Sequence, residues 1–182
     1  MTATAPVLRP LARNWLWPAL LAAAAIGGSW ALACVTPFAA FAAILAESER
    51  RSTALAAVAL IWLANQAVGV ALLGYPLDLH SAGWGLAIGA AALLATFAAS
   101  AVARIGGMRR WVRLVLAFAA AFVIYEVVLA LVAAMSGKLA EFTPATVAQL
   151  AALDAAWLAA LAVLHEALAL IGGRLTSLRL AA

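Results

Sequence analysis

The stretch WLWPALLAAAAIGGSWALACVTPFAAFAAILA, residues 15–46, decides the fold. It runs for thirty-two positions without a charged residue. As one helix it would be about 48 Å long at 1.5 Å per residue, against a bilayer hydrocarbon core of about 30 Å. Backbone polar groups in lipid must be satisfied within their own segment, which selects helix over an isolated strand. Alanine and leucine dominate the stretch, and both suit a helix. Two places interrupt it, Gly27-Gly28 and Thr36-Pro37. Glycine pairs are common kink sites, and proline removes a backbone donor and clashes with the preceding turn. The stretch therefore reads as one long kinked span or as two short ones.

The flanking charges choose between these readings. Lysine and arginine in short loops favour the cytoplasmic side. Arg9 and Arg13 precede the stretch, and Arg50 and Arg51 follow it. Two basic groups on one side require an even number of crossings between them. Residues 15–46 should then hold two short spans, approximately 15–29 and 31–46, or a re-entrant pair. Four further apolar stretches follow at approximately 53–74, 84–103, 114–135 and 147–172. Loop 75–83 has no Lys or Arg and falls outside, while Arg104, Arg109, Arg110 and Arg113 fall inside. Loop 136–146 holds only Lys138 and falls outside, and Arg174 and Arg179 fall inside. Ten of the eleven basic residues lie on one side in this arrangement. The expected architecture is all-α: a single integral membrane domain over residues 1–182, with six transmembrane helices and both termini cytoplasmic.

Composition agrees. The chain is 69% hydrophobic and 10% charged, whereas a soluble domain is about 45–50% apolar and about 25% charged. The loops are too short to fold on their own. The net charge of +4 is not a nucleic-acid footprint, because the basic residues sit in small groups between apolar runs, where topology explains them. A single cysteine, Cys34, excludes an intrachain disulfide. The first apolar run is too long for a signal-peptide h-region and lacks a cleavage site followed by a polar mature chain, so it is expected to be retained. Trp15, Trp17, Trp84 and Trp111 fall near expected interfaces, and Trp30, Trp62 and Trp157 fall deeper as packing residues. Small residues recur at four-residue spacing: Ala39 and Ala43; Gly85 and Gly89; Ala92, Thr96 and Ser100; Ala152, Ala156 and Ala160. Such stripes let helices approach closely. Packing inside the bundle is the expected use, and a docking surface for another membrane protein is the alternative.

Ionisable residues inside a membrane are costly and usually mark function. Glu126 lies in the middle of the fifth span beside Tyr125, and Asn65 and Gln66 lie in the third. A buried Glu126 must be protonated or paired. No Lys or Arg lies at its depth, so His165, a helix amide or a polar ligand is the expected partner. Asp154 is near the outer end of the last span and is expected to be wet. His165 and Glu166 are expected at the interface, and Asn65 or Gln66 can also serve as an interhelical hydrogen-bonding group. The loop Gly74-Tyr75-Pro76-Leu77-Asp78-Leu79-His80-Ser81-Ala82-Gly83-Trp84 gathers rings, a carboxylate and an imidazole. Asp78 and His80 can ligate a metal, or Asp78 can orient His80; most such pairs are plain solvated loop residues. The chain has no H-E-x-x-H, G-x-S-x-G, phosphate loop or C-x-x-C. It shows no haem or iron–sulfur spacing and no nucleophile–base pair, so neither an enzyme nor an intrinsic cofactor is expected.

Six short spans, a broken first apolar stretch and polar groups toward the outer side resemble a substrate-binding S-component of energy-coupling-factor vitamin transporters. Trp62-Leu63-Ala64-Asn65-Gln66-Ala67-Val68-Gly69, with Gly74-Tyr75-Pro76 and Gly83-Trp84-Gly85, is similar to the small BtuM-type proteins implicated in vitamin B12 uptake in Gram-negative bacteria. The resemblance implies an S-component-like bundle in the bacterial inner membrane that takes cobalamin, a corrinoid, as substrate from the periplasmic side. The partners it implies are the bilayer, the corrinoid and either an energy-coupling-factor module or none. Asn65, Gln66, Tyr75, Asp78, His80, Trp84, Tyr125 and Glu126 are the expected ligand-binding residues. The family's cobalt-ligating cysteine has no counterpart between Thr53 and Trp84, which leaves Cys34 and His80 as candidate axial ligands. Two other classes are carried beside this reading: a membrane scaffold that holds partner subunits through its small-residue stripes, and a divalent-metal permease using Asp78, His80 and Glu126.

Overall fold

A computed structural model describes residues 19–27 and 36–181, and these are helical with no strand among them. Helix α1 covers 19–27. It is followed by α2 (Phe38–Ser48), α3 (Arg51–Ala71), α4 (Leu79–Val102), α5 (Arg110–Met135), a 3-10 turn (Leu139–Glu141) and α6 (Pro144–Ala181). Four helices are long and apolar enough to cross a membrane: α3, α4, α5 and the Pro144–Leu168 part of α6. Each begins a few residues earlier than the apolar run alone suggests. In α3 and α5 the reason is that Arg51, Arg110 and Arg113 ride on the helix ends, where long side chains reach the interface.

Helix α2 covers most of the described part of the expected 31–46 span. Its eleven residues span about 16 Å, roughly half of the hydrocarbon core, so the described part of the expected 31–46 span does not cross by itself. Thr36 and Pro37 are non-helical, and the helix begins directly after them. Proline has no N–H to continue a helix from the preceding turn, and the residue before it is pushed out of helical geometry.

The same helix is the core of the bundle. Every residue from Phe38 to Ala46 is buried, and α3, α4, α5 and α6 all pack against it. A helix that is apolar on all faces belongs at the centre rather than on a surface. Phe38, Phe41, Ile44 and Leu45 fill space, while Ala39, Ala40, Ala42, Ala43 and Ala46 let neighbouring helices close in. The Phe41 ring meets Trp157 of α6 with centroids 6.1 Å apart, and Phe38 meets Tyr125 of α5 at 5.9 Å. The outer faces of α5 and α6 expose Val123, Val127, Leu131 and Val163, the surface expected to meet lipid acyl chains.

Helices α3 and α4 pack through glycine. The Trp62 Nε1–H donates to the Gly85 carbonyl at 2.8 Å. A Cβ at Gly89 would lie 2.5 Å from the Trp62 ring, and one at Gly85 would lie 2.4 Å from Gln66 Oε1. Ala92, Thr96 and Ser100 continue along α4 and are also buried, so these stripes serve packing inside the bundle. The Ala152, Ala156 and Ala160 stripe of α6 instead faces outward. A contrast follows for the two glycines. Gly89→Ala must displace a ring held by its own hydrogen bond and is expected to cost about 2 kcal/mol. Gly85→Ala meets only the far end of a flexible amide and should cost less than about 1 kcal/mol. Thermal unfolding of both variants in the same detergent checks the order, and equal melting would remove Trp62 as the cause.

One end of the bundle is basic and is tied together by ion pairs. Glu47, near the end of α2, is almost fully buried and accepts two hydrogen bonds from Arg113 of α5, one of them from Nε at 2.8 Å. Arg110 Nε lies 3.9 Å from the same carboxylate, and Arg110 also pairs with Glu166 of α6. Arg51 places its guanidinium 4.3 Å from the centre of the Phe97 ring, a cation–π contact between α3 and α4. The carboxyl of Glu49, just past α2, is pushed above the usual range by partial burial.

Candidate functional site

At the opposite end α3 turns into α4. The Leu73 N–H bonds the Val68 carbonyl and the Tyr75 N–H bonds the Gly69 carbonyl, with Gly74 at φ 69° between them. That left-handed conformation is one glycine adopts freely. Asp78 then starts α4 as its N-cap, its carboxylate accepting from the Ser81 N–H at 2.7 Å. This satisfies one of the first N–H groups of the helix, which have no partner within it.

These elements enclose a pocket of about 1130 Å³. Ligand sites of drug-sized molecules usually measure about 300–1,000 Å³, so this one suits a large ligand. Asn65 and Gln66 come from α3, Tyr75 and Asp78 from the connection, and His80 and Trp84 from the first turns of α4. Val70, Leu77 and Ile88 provide apolar wall. Six of the eight expected ligand-binding residues thus line one cavity. The reason is geometric: the connection over residues 72–78 is short, so the last turns of α3 and the first of α4 stay close together. Asp78 is fully exposed, and the Ser81 N–H is the main cause holding its carboxyl below the usual range, with His80 contributing less. One carboxylate oxygen is occupied by the cap, while His80 stands exposed two residues later.

Tyr125 and Glu126 do not line this pocket. They belong to a buried polar centre around the start of α2. Asp154 of α6 is buried rather than wet, and its Oδ1 accepts the Ala40 N–H at 3.1 Å. The helix has no side-chain cap of its own. A carboxylate from another helix therefore serves an N–H group that a cap would. Beside it, the Thr36 hydroxyl donates to Asn65 Oδ1 at 2.8 Å. Tyr125, Glu126 and Asp154 are close enough to act on one another electrostatically. Glu126 is 8% exposed, and its Oε2 has no hydrogen-bond partner among the described residues. His165 is not that partner, because it lies within range of Arg110 and Glu166 at the basic end.

Sequence reasoning missed the roles of Thr36, Asp154 and Glu47. A usable signal was present for the first two. A helix starting at Thr36-Pro37 inside an apolar run leaves several N–H groups unbonded in lipid, and an acidic residue at matching depth is their natural acceptor. Glu47 offered no such signal, since its burial arises from helix packing.

Cys34 lies outside the described residues. Among the described residues, no three of His, Cys, Asp and Glu come together to hold a metal ion. Asp78, His80 and Glu126 are thus not one such group. No protein-family model, curated protein or solved structure matches the chain.

Proposed function

We propose that the chain is a membrane uptake protein that binds a cobalamin-like substrate in the pocket between α3 and α4. The pocket supports this reading by gathering an amide pair, two aromatic rings, a carboxylate and an imidazole around a volume of about 1130 Å³. That mixture fits a large molecule with an apolar body and a polar periphery, such as a corrinoid. In this proposal the bundle crosses a bacterial inner membrane six times, with both termini and the basic end cytoplasmic. The pocket then opens to the periplasm, which agrees with the positive-inside tendency. The basic end faces an energy-coupling-factor module if one takes part. His80 is positioned to offer an imidazole to the substrate's cobalt, and Cys34 is the other candidate.

Purified protein titrated with aquocobalamin tests the proposal. Saturable binding with a changed corrin absorption spectrum is the expected result. His80→Ala and Cys34→Ala, made separately, identify the axial ligand by which of them abolishes the spectral change. Absence of binding at high micromolar ligand would sink the reading.

A second reading rests on the outward-facing Ala152, Ala156 and Ala160 of α6. In it the chain is a scaffold whose α6 packs against a partner's membrane helix. Ala156→Leu would then disrupt co-purification with that partner, whereas alanine substitutions in the pocket would not.

A further inference from the structure

The pocket leaves one buried ionisable group unused. Glu126 sits in the middle of α5 with a carboxyl oxygen that no donor reaches among the described residues, and it is more than nine-tenths buried. From α6 it is faced by Asp154, and on its own helix Tyr125 adjoins it. Among the described residues the other elements supply no opposing charge at this level. Helix α3 carries Arg51 as its single ionisable residue, at the basic end, and α4 carries only His80, in the pocket. Helix α2 carries Glu47, already paired with Arg113.

Two carboxyl groups in one low-dielectric centre do not both stay ionised without a counter-charge. Their surroundings also differ. Asp154 receives the Ala40 N–H at the start of a helix, which favours a negative charge there. Glu126 receives none at Oε2. From this asymmetry we propose that Glu126 and Asp154 form a proton-binding site inside the bundle, with Glu126 holding the proton at neutral pH. The site is separate from the pocket and does not depend on which ligand the pocket takes. It is nevertheless connected to it: Asn65 lines the pocket and bonds Thr36, two residues ahead of the helix start that Asp154 holds. Taking up the proton neutralises Glu126 and relieves its repulsion of the Asp154 carboxylate, which strengthens the grip on α2.

Infrared spectroscopy of the full chain in lipid nanodiscs at neutral pH tests the site. The carbonyl stretch of a protonated carboxylic acid should be present in the wild type and should shift down in D₂O. It should vanish in Glu126→Gln and persist in Asp154→Asn. Glu126→Gln mimics the protonated acid in shape and charge, so its melting temperature should match that of the wild type. A wild-type spectrum with no protonated-acid band overturns the proposal without any variant. So does a band that survives in Glu126→Gln, or one that disappears on adding sodium at constant pH, which would make the site one for a metal cation.

Discussion

Arg113→Ala is expected to destabilise the bundle by clearly more than the loss of an exposed ion pair does, because it strips a buried carboxylate of its partner from one side. The Glu47 side chain is only 3% exposed, and Arg113 supplies both of its hydrogen bonds. Without them the carboxylate keeps only Arg110, whose Nε is 3.9 Å away and whose side chain is half exposed. That distance is beyond a hydrogen bond, so the charge stays buried with its acceptors empty. The pair joins the end of the central helix α2 to the start of α5, so losing it loosens both. The double variant Arg113→Ala/Glu47→Gln should recover much of the loss, because it removes the stranded charge. Equilibrium unfolding in mixed micelles measures both. A single variant within about 0.5 kcal/mol of wild type, the range of exposed pairs, would show that Glu47 is solvated after all.

The second large effect is at Asp154. Asp154→Ala removes the acceptor for the Ala40 N–H in the first turn of α2. Losing a helix cap costs about 1 kcal/mol, and leaving a buried donor unsatisfied adds roughly 1–3 kcal/mol. A total of about 2–4 kcal/mol is expected, felt mainly by α2. Asp154→Asn keeps a side-chain oxygen at Oδ1 and should lose less than about 1 kcal/mol. Hydrogen exchange of the α2 amides separates the two variants. Faster exchange at Ala40 in Asp154→Ala alone is the expected pattern, and equal protection in both variants would show that the carboxyl group does not hold the helix.

The two variants also bear on the proton site. Asp154→Asn leaves the helix held while removing one of the two carboxylates that compete for a proton. Its stability should therefore be less sensitive to rising pH than that of the wild type, in which deprotonating Glu126 sets two negative charges side by side. The same melting measurements across neutral and alkaline buffers read this out.

Much of the molecule could be read directly from residue order. The four long apolar runs are the four helices able to cross a membrane, because length and hydropathy are local properties and lipid leaves the backbone few alternatives. The interruption at Thr36-Pro37 was equally legible, since proline acts on its immediate neighbours. So was the cluster from Asn65 to Trp84, because these residues are close in sequence and a helix–loop–helix turn keeps them close in space. The Gly85 and Gly89 pair announced a close helix contact, although it did not say that Trp62 and Gln66 would occupy it.

The remainder depended on which helix faces which. Nothing local places the eleven residues of α2 at the centre of four other helices, since an apolar helix reads the same in lipid as in a protein core. Asp154 lies 114 positions from the amide it serves, and Glu47 lies 66 from its arginine. Such pairings are set by packing, and no spacing rule along the chain encodes them. The overlong apolar stretch at residues 15–46 shows the division most clearly. Its composition required a membrane and its proline required a break. That the freed helix start would be held by a carboxylate from α6, beside a second acid with no counter-charge, follows from the assembled bundle, where low dielectric makes every unpaired polar group costly.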